Sequence, residues 1–494
     1  MPEFLIELLG PTALGYAILG FVVGAIGGAI PGINIVLTMT LLIPFTFTLT
    51  PTQTVILLIS CYVGGEYSGS IPAILINTPG TPSSAAVVLD GYPMAKQGLG
   101  ARAIGISATA SGVGNLIGGL FLLAVAPAIA QIVLTFGSPE FFLLAVLGLA
   151  TIVSTVDGSL RRAAIAAALG ALIATVGVST LSAAPRFTFD NPYLYDGISL
   201  TPAFIGIFAL AEMLRLAAQR EAITSNLLTA SGSSRHGFTD AMRHWRSMLR
   251  GSVIGIFVGA IPGQGGAVAN FLAYTAEKQA SKEPERFGTG HPAGIAGPEA
   301  ANNSVIGAAL VPTIGLGIPG SGSTAVILTA LLLQGVRPGP QLFQEDLVLV
   351  QVIIGTVLVG GVLTFLFGFG LARPLALLSR IPLSILIPVV TCLSLIGVYA
   401  EELSPATIWS AVVLGFVGFA LVRFGYSPVA FVLGLILGPI AEENLSRVVQ
   451  LSGGQPWLEF VTRPVSIVII LLIVLVLVRP SLQRRRMHKR HRVA

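Results

Sequence analysis

ILINTPGTPSSAAVVLDG, residues 74–91, decides how this chain is read. Apolar runs flank it, yet it holds Asn77, Pro79, Gly80, Pro82 and the hydroxyls of Thr78, Thr81, Ser83 and Ser84 before a lone acid, Asp90. Proline has no N–H to donate and clashes with the preceding turn, so Pro79 and Pro82 break a helix, and Gly80 permits the turn between them. Thr81 or Ser83 can then begin a new helix. In a soluble protein this would be an ordinary loop. The rest of the chain makes it something else.

The chain has 494 residues, 54% of them hydrophobic and 10% charged, where soluble domains carry about 25% charged residues. Its mean hydropathy is +0.87. Runs such as Ala13–Ile30, Phe141–Val156, Ala163–Val178, Ile408–Val422 and Val465–Val478 approach the roughly 17–25 residues of a bilayer-spanning helix. The expected class is an all-α polytopic membrane protein. The start, MPEFLIELLG, has two acids and no base, unlike the basic region of a cleaved signal peptide, so the first apolar run reads as a permanent helix. Cys61 and Cys392 both lie in apolar runs, which argues against a disulfide framework.

Basic residues orient the chain. They cluster at Lys96/Arg102, Arg161/Arg162, Arg215 to Arg250, Arg373/Arg380, Arg423 and from Arg479 onward, with base-poor or acidic connections between. Placing each cluster on the cytoplasmic side gives a cytoplasmic C-terminus and an odd number of segments, about 11 to 13. The tail RPSLQRRRMHKRHRVA supplies much of the net charge of +5. Directly after a membrane helix it reads as an anchor beside anionic lipid, not as a nucleic-acid contact.

The sequence also repeats itself. FVVGAIGGAIPGINIVLT (21–38) returns as SVIGIFVGAIPGQGGAVA (252–269), and TPGTPSSAAVVL (78–89) returns as IPGSGSTAVILT (318–329). Looser matches link 138–158 to 381–402 and 201–214 to 427–443. The offset is 231 at Pro31/Pro262 and 240 at Pro79/Pro319, so the halves differ by small insertions. The organisation expected is a first transmembrane repeat over 1–218, a basic cytoplasmic linker over 219–250 and a second repeat over 251–445. An extra segment over 446–478 and the basic tail 479–494 follow. The charge map has the first repeat enter from outside and the second from inside. The halves are then inverted repeats, the architecture of many secondary transporters, with Pro-Gly-broken helices or re-entrant hairpins.

Broken backbone at membrane depth is tolerated only where it is buried in protein or lines a watery cavity. A helix starting after such a break offers free N–H groups and a positive dipole end to an anion. The second half supplies the same device at Pro319, Gly320, Ser321, Ser323 and Thr324. A single motif is more simply a proline kink; the matched pair favours a binding site. The expected substrate ligands are therefore Asn77, Thr78, Pro79, Gly80, Thr81, Ser83 and Ser84 with Pro319, Gly320, Ser321, Ser323 and Thr324.

GAIPGINIVLTMTLLIPFTFTLTP (28–51), YVGGEYSGSIPAILINTPGTPSSAAVVLDGYPMAKQG (62–98), AIPGQGGAVANFLAYTAEKQASKEPERFGTGHPAGIAGPEAANNS (260–304) and LVPTIGLGIPGSGSTAVILTALLLQGVRPGPQLF (310–343) together resemble the large membrane subunit of the tripartite tricarboxylate transporter family. The resemblance covers nearly the whole chain. It implies a multi-pass secondary transporter of the bacterial inner membrane, driven by a Na⁺ or H⁺ gradient and importing di- or tricarboxylates such as citrate. The partners implied are a small four-helix membrane subunit and a periplasmic solute-binding protein; a homodimer is one assembly left open. No cofactor is implied.

Five further polar residues are candidates for the coupling ion: Asn34, Asn302, Asn303, Glu66 and Glu299. Amide oxygens and freed carbonyls beside broken helices hold cations in carriers, and intramembrane acids are functional suspects. The competing readings are Asn as helix cap or interhelical bridge, and Glu at a hydrated loop end. Asp90, in LDGYPMAKQG, reads as a turn residue at the inner surface beside Lys96, and EKQASKEPERFGTGHP as a solvated loop. Enzyme readings find no support. There is no GxxxxGK[ST] for ATP and no HExxH, and the five histidines all fall in polar segments. An anion channel built from inverted repeats is the alternative to a carrier.

Overall fold

The turn at 77–82 and its counterpart at 317–322 organise a protein that is almost entirely helix. In the computed structural model the described residues are 3–490, apart from 134, 156–159, 180–183, 219–232, 263–264, 371, 379–380 and 453–454. Much of the linker expected at 219–250 thus lies outside the described residues, although Ser234–Arg243 is helical. Among the described residues eight helical runs are long and apolar enough to cross a bilayer, and four shorter apolar helices accompany them. A two-stranded ribbon pairs Gly177–Val178 with Pro185–Arg186.

In the first half, α1 (Pro11–Ala29), α2 (Ile35–Thr46) and α3 (Pro51–Ser68) are followed by a 3₁₀ turn at Pro82–Val87, then α4 (Gly100–Val133), α5 (Ser138–Thr155) and α6 (Leu160–Ile173), with a helical run over 200–218. The second half repeats the series: α7 (Trp245–Gly259), α8 (Gly265–Ala280), α9 (Ala293–Leu316), α10 (Gly322–Leu333), α11 (Leu347–Gly368), α12 (Leu383–Glu402), α13 (Pro405–Arg423) and α14 (Pro428–Leu451). Proline opens α1, α3, α13 and α14 at the first helical position, where its missing N–H costs nothing.

Packing follows the repeat. α1 lies on α3 as α7 lies on α9, and α2 touches α10 as α8 touches the 3₁₀ turn. Across the halves the partners exchange, with α4 on α9, α11 on α3, α6 on α14 and α13 on the 200–218 run. Glycines fix the register. A Cβ at Gly20, Gly24 or Gly28 would strike the carbonyls of Leu57, Cys61 and Gly65, and one at Gly251, Gly255 or Gly259 would strike those of Gly297, Ala301 and Val305. Both triplets carry the offsets read from the sequence, 231 on the glycine helix and 240 on its partner. Without side chains at the contact the helix axes approach closely, which is how apolar helices associate where burial alone gives no preference.

Candidate functional site

The two helix breaks are built alike. Asn77 (φ 59°) and Gly317 (φ 67°) end their helices in the left-handed conformation, which Gly adopts freely and Asn tolerates. The amides of Thr78 and Ile318 donate back to the carbonyls of Pro72 and Pro312 at 3.4 and 3.2 Å. Three residues after Thr78 and Ile318 the chain restarts at Thr81 and Ser321, the extended N-caps of the 3₁₀ turn and of α10. Gly80 donates to the Gly69 carbonyl at 2.9 Å, and a Cβ there would lie 1.9 Å from the Gly28 oxygen. Only glycine fits.

Beyond the turns the halves differ. Ser321 Oγ accepts from the Thr324 amide at 3.2 Å while the Ser321 amide donates to Thr324 Oγ1 at 2.8 Å, a reciprocal capping box. Gly320 N–H donates to Thr313 Oγ1 at 3.2 Å. These bonds occupy the amides of 320, 321 and 324. The amides of Gly322 and Ser323, at the tip of a 12-residue helix, have no partner among the described residues. In the first half the Thr81 and Ser84 hydroxyls share a 3.2 Å hydrogen bond, and the Ser84 amide donates to the Thr81 carbonyl at 3.0 Å.

Both breaks open onto one cavity of about 370 Å³. Thr81, Pro82 and Ser83 line one side and Ser321, Gly322 and Ser323 another, with Asn34, Tyr62, Glu66, Glu212 and Gly266 among the remaining walls. Of the residues expected as substrate ligands, Thr81, Ser83, Ser321 and Ser323 share this cavity; Asn77, Thr78, Pro79, Gly80, Ser84, Pro319, Gly320 and Thr324 shape the turns behind it. The side chain of Asn77 is exposed, because its backbone serves as the cap. Asn34 caps α2, its Oδ1 accepting from the Leu37 amide at 2.8 Å. Tyr62 is a cavity residue that the motif reading passed over; its hydroxyl lies 3.4 Å from Ser321 Oγ. Its spacing of four from Glu66, which puts both on one helix face, was the available signal.

Glu66 and Glu299 are not at hydrated loop ends. Their residues are 5% and 0% exposed, and among the described residues neither pairs with a basic side chain. Glu66 Oε2 and Asn302 Oδ1 both lack a hydrogen-bond partner among the described residues. A Cβ at Gly266 would fall 2.3 Å from Asn302 Oδ1 and 2.8 Å from Ser83 Oγ, so the glycine leaves this corner open. Glu299 and Asn303 lie outside the cavity lining, on α9 facing α4.

Asp90 corrects the surface-turn reading. It is fully buried within the helical turn Val88–Met94. Its Oδ1 accepts from the amides of Gly288, Gly290 and His291 at 2.8–2.9 Å, and its Oδ2 from Tyr274 Oη at 2.9 Å. The far end of the expected solvated loop is thereby clamped, with Phe287 buried and stacked on the His291 ring. Gln334 does the corresponding work in the other half. Its Nε2 donates to the carbonyls of Thr46 and Leu49 and to Thr54 Oγ1 at 2.6–3.2 Å, holding the α2–α3 connection.

Comparison with known proteins agrees with this architecture. A protein from Agrobacterium vitis described as an uncharacterized 52.8 kDa protein in the TAR-I ttuC' 3' region is 34% identical over 484 residues, covering 97% of this chain and 95% of the relative. A second from the same organism, an uncharacterized protein in the TAR-II ttuC' 3' region, is 34% identical over 235 residues, 47% of this chain and 97% of the relative. No solved structure matches the chain. The model of the tripartite tricarboxylate transporter TctA family matches residues 14–433, and with that coverage the chain belongs to this family, as a multi-pass membrane subunit of a tripartite tricarboxylate transporter.

Proposed function

We propose that this subunit is the carrier itself, importing di- or tricarboxylates of the citrate type across the bacterial inner membrane on a Na⁺ or H⁺ gradient. The observation that carries the reading is the single cavity lined by hydroxyls from both broken helices. Thr81, Ser83, Ser321 and Ser323, with the free amides at the tip of α10, supply donors for carboxylate oxygens. Among the described residues no Lys or Arg lines the cavity. An anion leaving water needs replacement donors, and hydrogen bonds to a charged group contribute about 1.5–3 kcal/mol each. Such donors leave no uncompensated cation when the cavity empties, which favours release.

Glu66 supplies the link to the gradient. A carboxylate substrate beside an ionised, unpaired Glu66 would meet like charge in a poorly solvated space, so a cation must first neutralise this corner. Binding of anion and cation is then mutually favourable, the thermodynamic content of symport. The exchanged packing of corresponding helices supports a two-fold relation between the repeats; with the opposite orientation read from the charge map, their rocking exposes the cavity to either side in turn. In this reading 1–218 and 251–445 are the repeats, 219–250 the cytoplasmic linker, 446–478 an added segment and 479–494 a cytoplasmic tail. A periplasmic binding protein delivers the substrate and a small membrane subunit completes the assembly. Uptake of labelled citrate by proteoliposomes holding the assembled transporter, under imposed Na⁺ or H⁺ gradients and with other carboxylates as competitors, tests this. Gradient-dependent uptake is expected. Downhill flux indifferent to either gradient would favour the channel.

A further inference from the structure

Away from the cavity, the seam between α4 and α9 carries a second buried acid. Glu299 Oε2 accepts from Ser111 Oγ at 2.8 Å and Ser107 Oγ at 3.2 Å, and Oε1 has no partner among the described residues. One helical turn on, Asn115 Nδ2 donates to Asn303 Oδ1 at 3.2 Å and Asn303 Nδ2 to the Glu299 carbonyl at 3.0 Å. Among the described residues Asn115 Oδ1 has no partner, on a residue that is 0% exposed. Ser107, Ser111 and Asn115 recur every four residues along α4, opposite Glu299 and Asn303 on α9, so five polar side chains form one ladder between two helices.

Repeat symmetry shows that the scaffold does not require the acid of this ladder. The 240-residue offset that pairs Cys61 with Ala301 pairs Glu299 with Ile59 and Glu66 with Ile306, both fully buried. The fold accommodates isoleucine at each equivalent place. The acid on α9 therefore has a reason beyond packing, since an unpaired carboxylate away from water is unfavourable unless a cation joins it.

We propose that the α4–α9 seam is a Na⁺ site separate from the substrate cavity. Glu299 supplies the charge, and Ser107 Oγ, Ser111 Oγ and Asn115 Oδ1 supply hard oxygen donors, with Asn303 Oδ1 completing the set. A proton on Oε1 would be a donor with no acceptor among the described residues, whereas a sodium ion has no directional demand and is satisfied by the carboxylate together with neighbouring hydroxyl and amide oxygens. α4 belongs to the first half and α9 to the second, so the ion ties the halves together when bound. The proposal rests on the reading of the chain as a gradient-driven carrier and adds a cation to the one required at Glu66.

Equilibrium binding of ²²Na⁺ to the purified full chain in lipid nanodiscs, without carboxylate and with choline as the balancing cation, tests it. Saturable Na⁺ binding is expected, and Glu299→Gln and the Ser107→Ala/Ser111→Ala double variant should each bind one ion per chain at least tenfold more weakly, whether or not the Glu66 corner also takes Na⁺. The double variant keeps the charge and both helices, and carries the test if Glu299→Gln does not fold. Citrate uptake by the assembled wild-type transporter under an imposed gradient keeps the two failures apart: uptake without saturable Na⁺ binding refutes the ion site alone, and Na⁺ binding without gradient-dependent uptake refutes the carrier reading alone. Undiminished Na⁺ binding in both seam variants, loss of binding in Glu66→Gln alone, or no saturable binding by the wild type would each overturn the proposal.

Discussion

Ser83 and Ser323 stand at equivalent places after the two helix breaks, and both face the same cavity. Each hydroxyl is proposed to donate to a substrate carboxylate, worth about 1.5–3 kcal/mol, so Ser83→Ala or Ser323→Ala should raise the KM of citrate uptake roughly tenfold or more. Protein levels in the membrane should not change, because neither hydroxyl holds a turn. Gly80→Val differs in kind. A side chain there meets the Gly28 carbonyl, so loss of transport is expected together with loss of folded protein in fluorescence-detected gel filtration. At Glu66, exchange for Gln removes the charge that calls for a cation. Uptake by that variant should persist at reduced rate but lose part of its dependence on the ion gradient. An unaltered dependence would remove Glu66 from the coupling scheme.

At the scale of elements, the clamp between the 88–94 turn and the connection leading into α9 carries two expectations. Asp90→Ala strips the acceptor from three backbone amides and Tyr274. Stranded donors cost about 1–3 kcal/mol each, so the melting temperature should fall clearly while the variant still inserts. His291 lies in the same connection, where burial and neighbouring His244 hold its pKa below the ordinary 6.5. Its Nδ1 accepts from the Ala293 amide at 3.2 Å, which requires the unprotonated nitrogen. Below pH about 6.5 the unfolded histidine binds a proton that the folded one resists, so this stabilisation is complete above that pH and declines as pH falls. Melting curves from pH 7.5 to 5.5 should drop more steeply for the wild type than for His291→Gln. The helix breaks were legible in the sequence because Pro and Gly act locally, and the caps at Thr81 and Ser321 follow from the same few residues. The burial of Asp90 was not, since it depends on amides about 200 positions away. The serines facing Glu299 were hidden for the same reason: they sit in an otherwise apolar helix, and only the α4–α9 packing brings them to the acid.

For the whole molecule, the repeat was readable as two offsets, and the glycine contacts reproduce both. The orientation of the halves in the bilayer rests on the positions of Lys and Arg. Impermeant-reagent labelling of single cysteines in intact cells should therefore leave positions in the 220–240 segment unmodified and modify Glu401→Cys; the reverse pattern would overturn this orientation and the charge argument for inverted repeats. The central claim is narrower: the two Pro-Gly turns, one from each half, jointly hold one carboxylate. Alkylation of Ser83→Cys and of Ser323→Cys, each in a background without Cys61 and Cys392, measures this directly. Citrate present during the reaction should slow modification at both positions over the same concentration range. Protection at one position only, or at neither, would contradict the shared site.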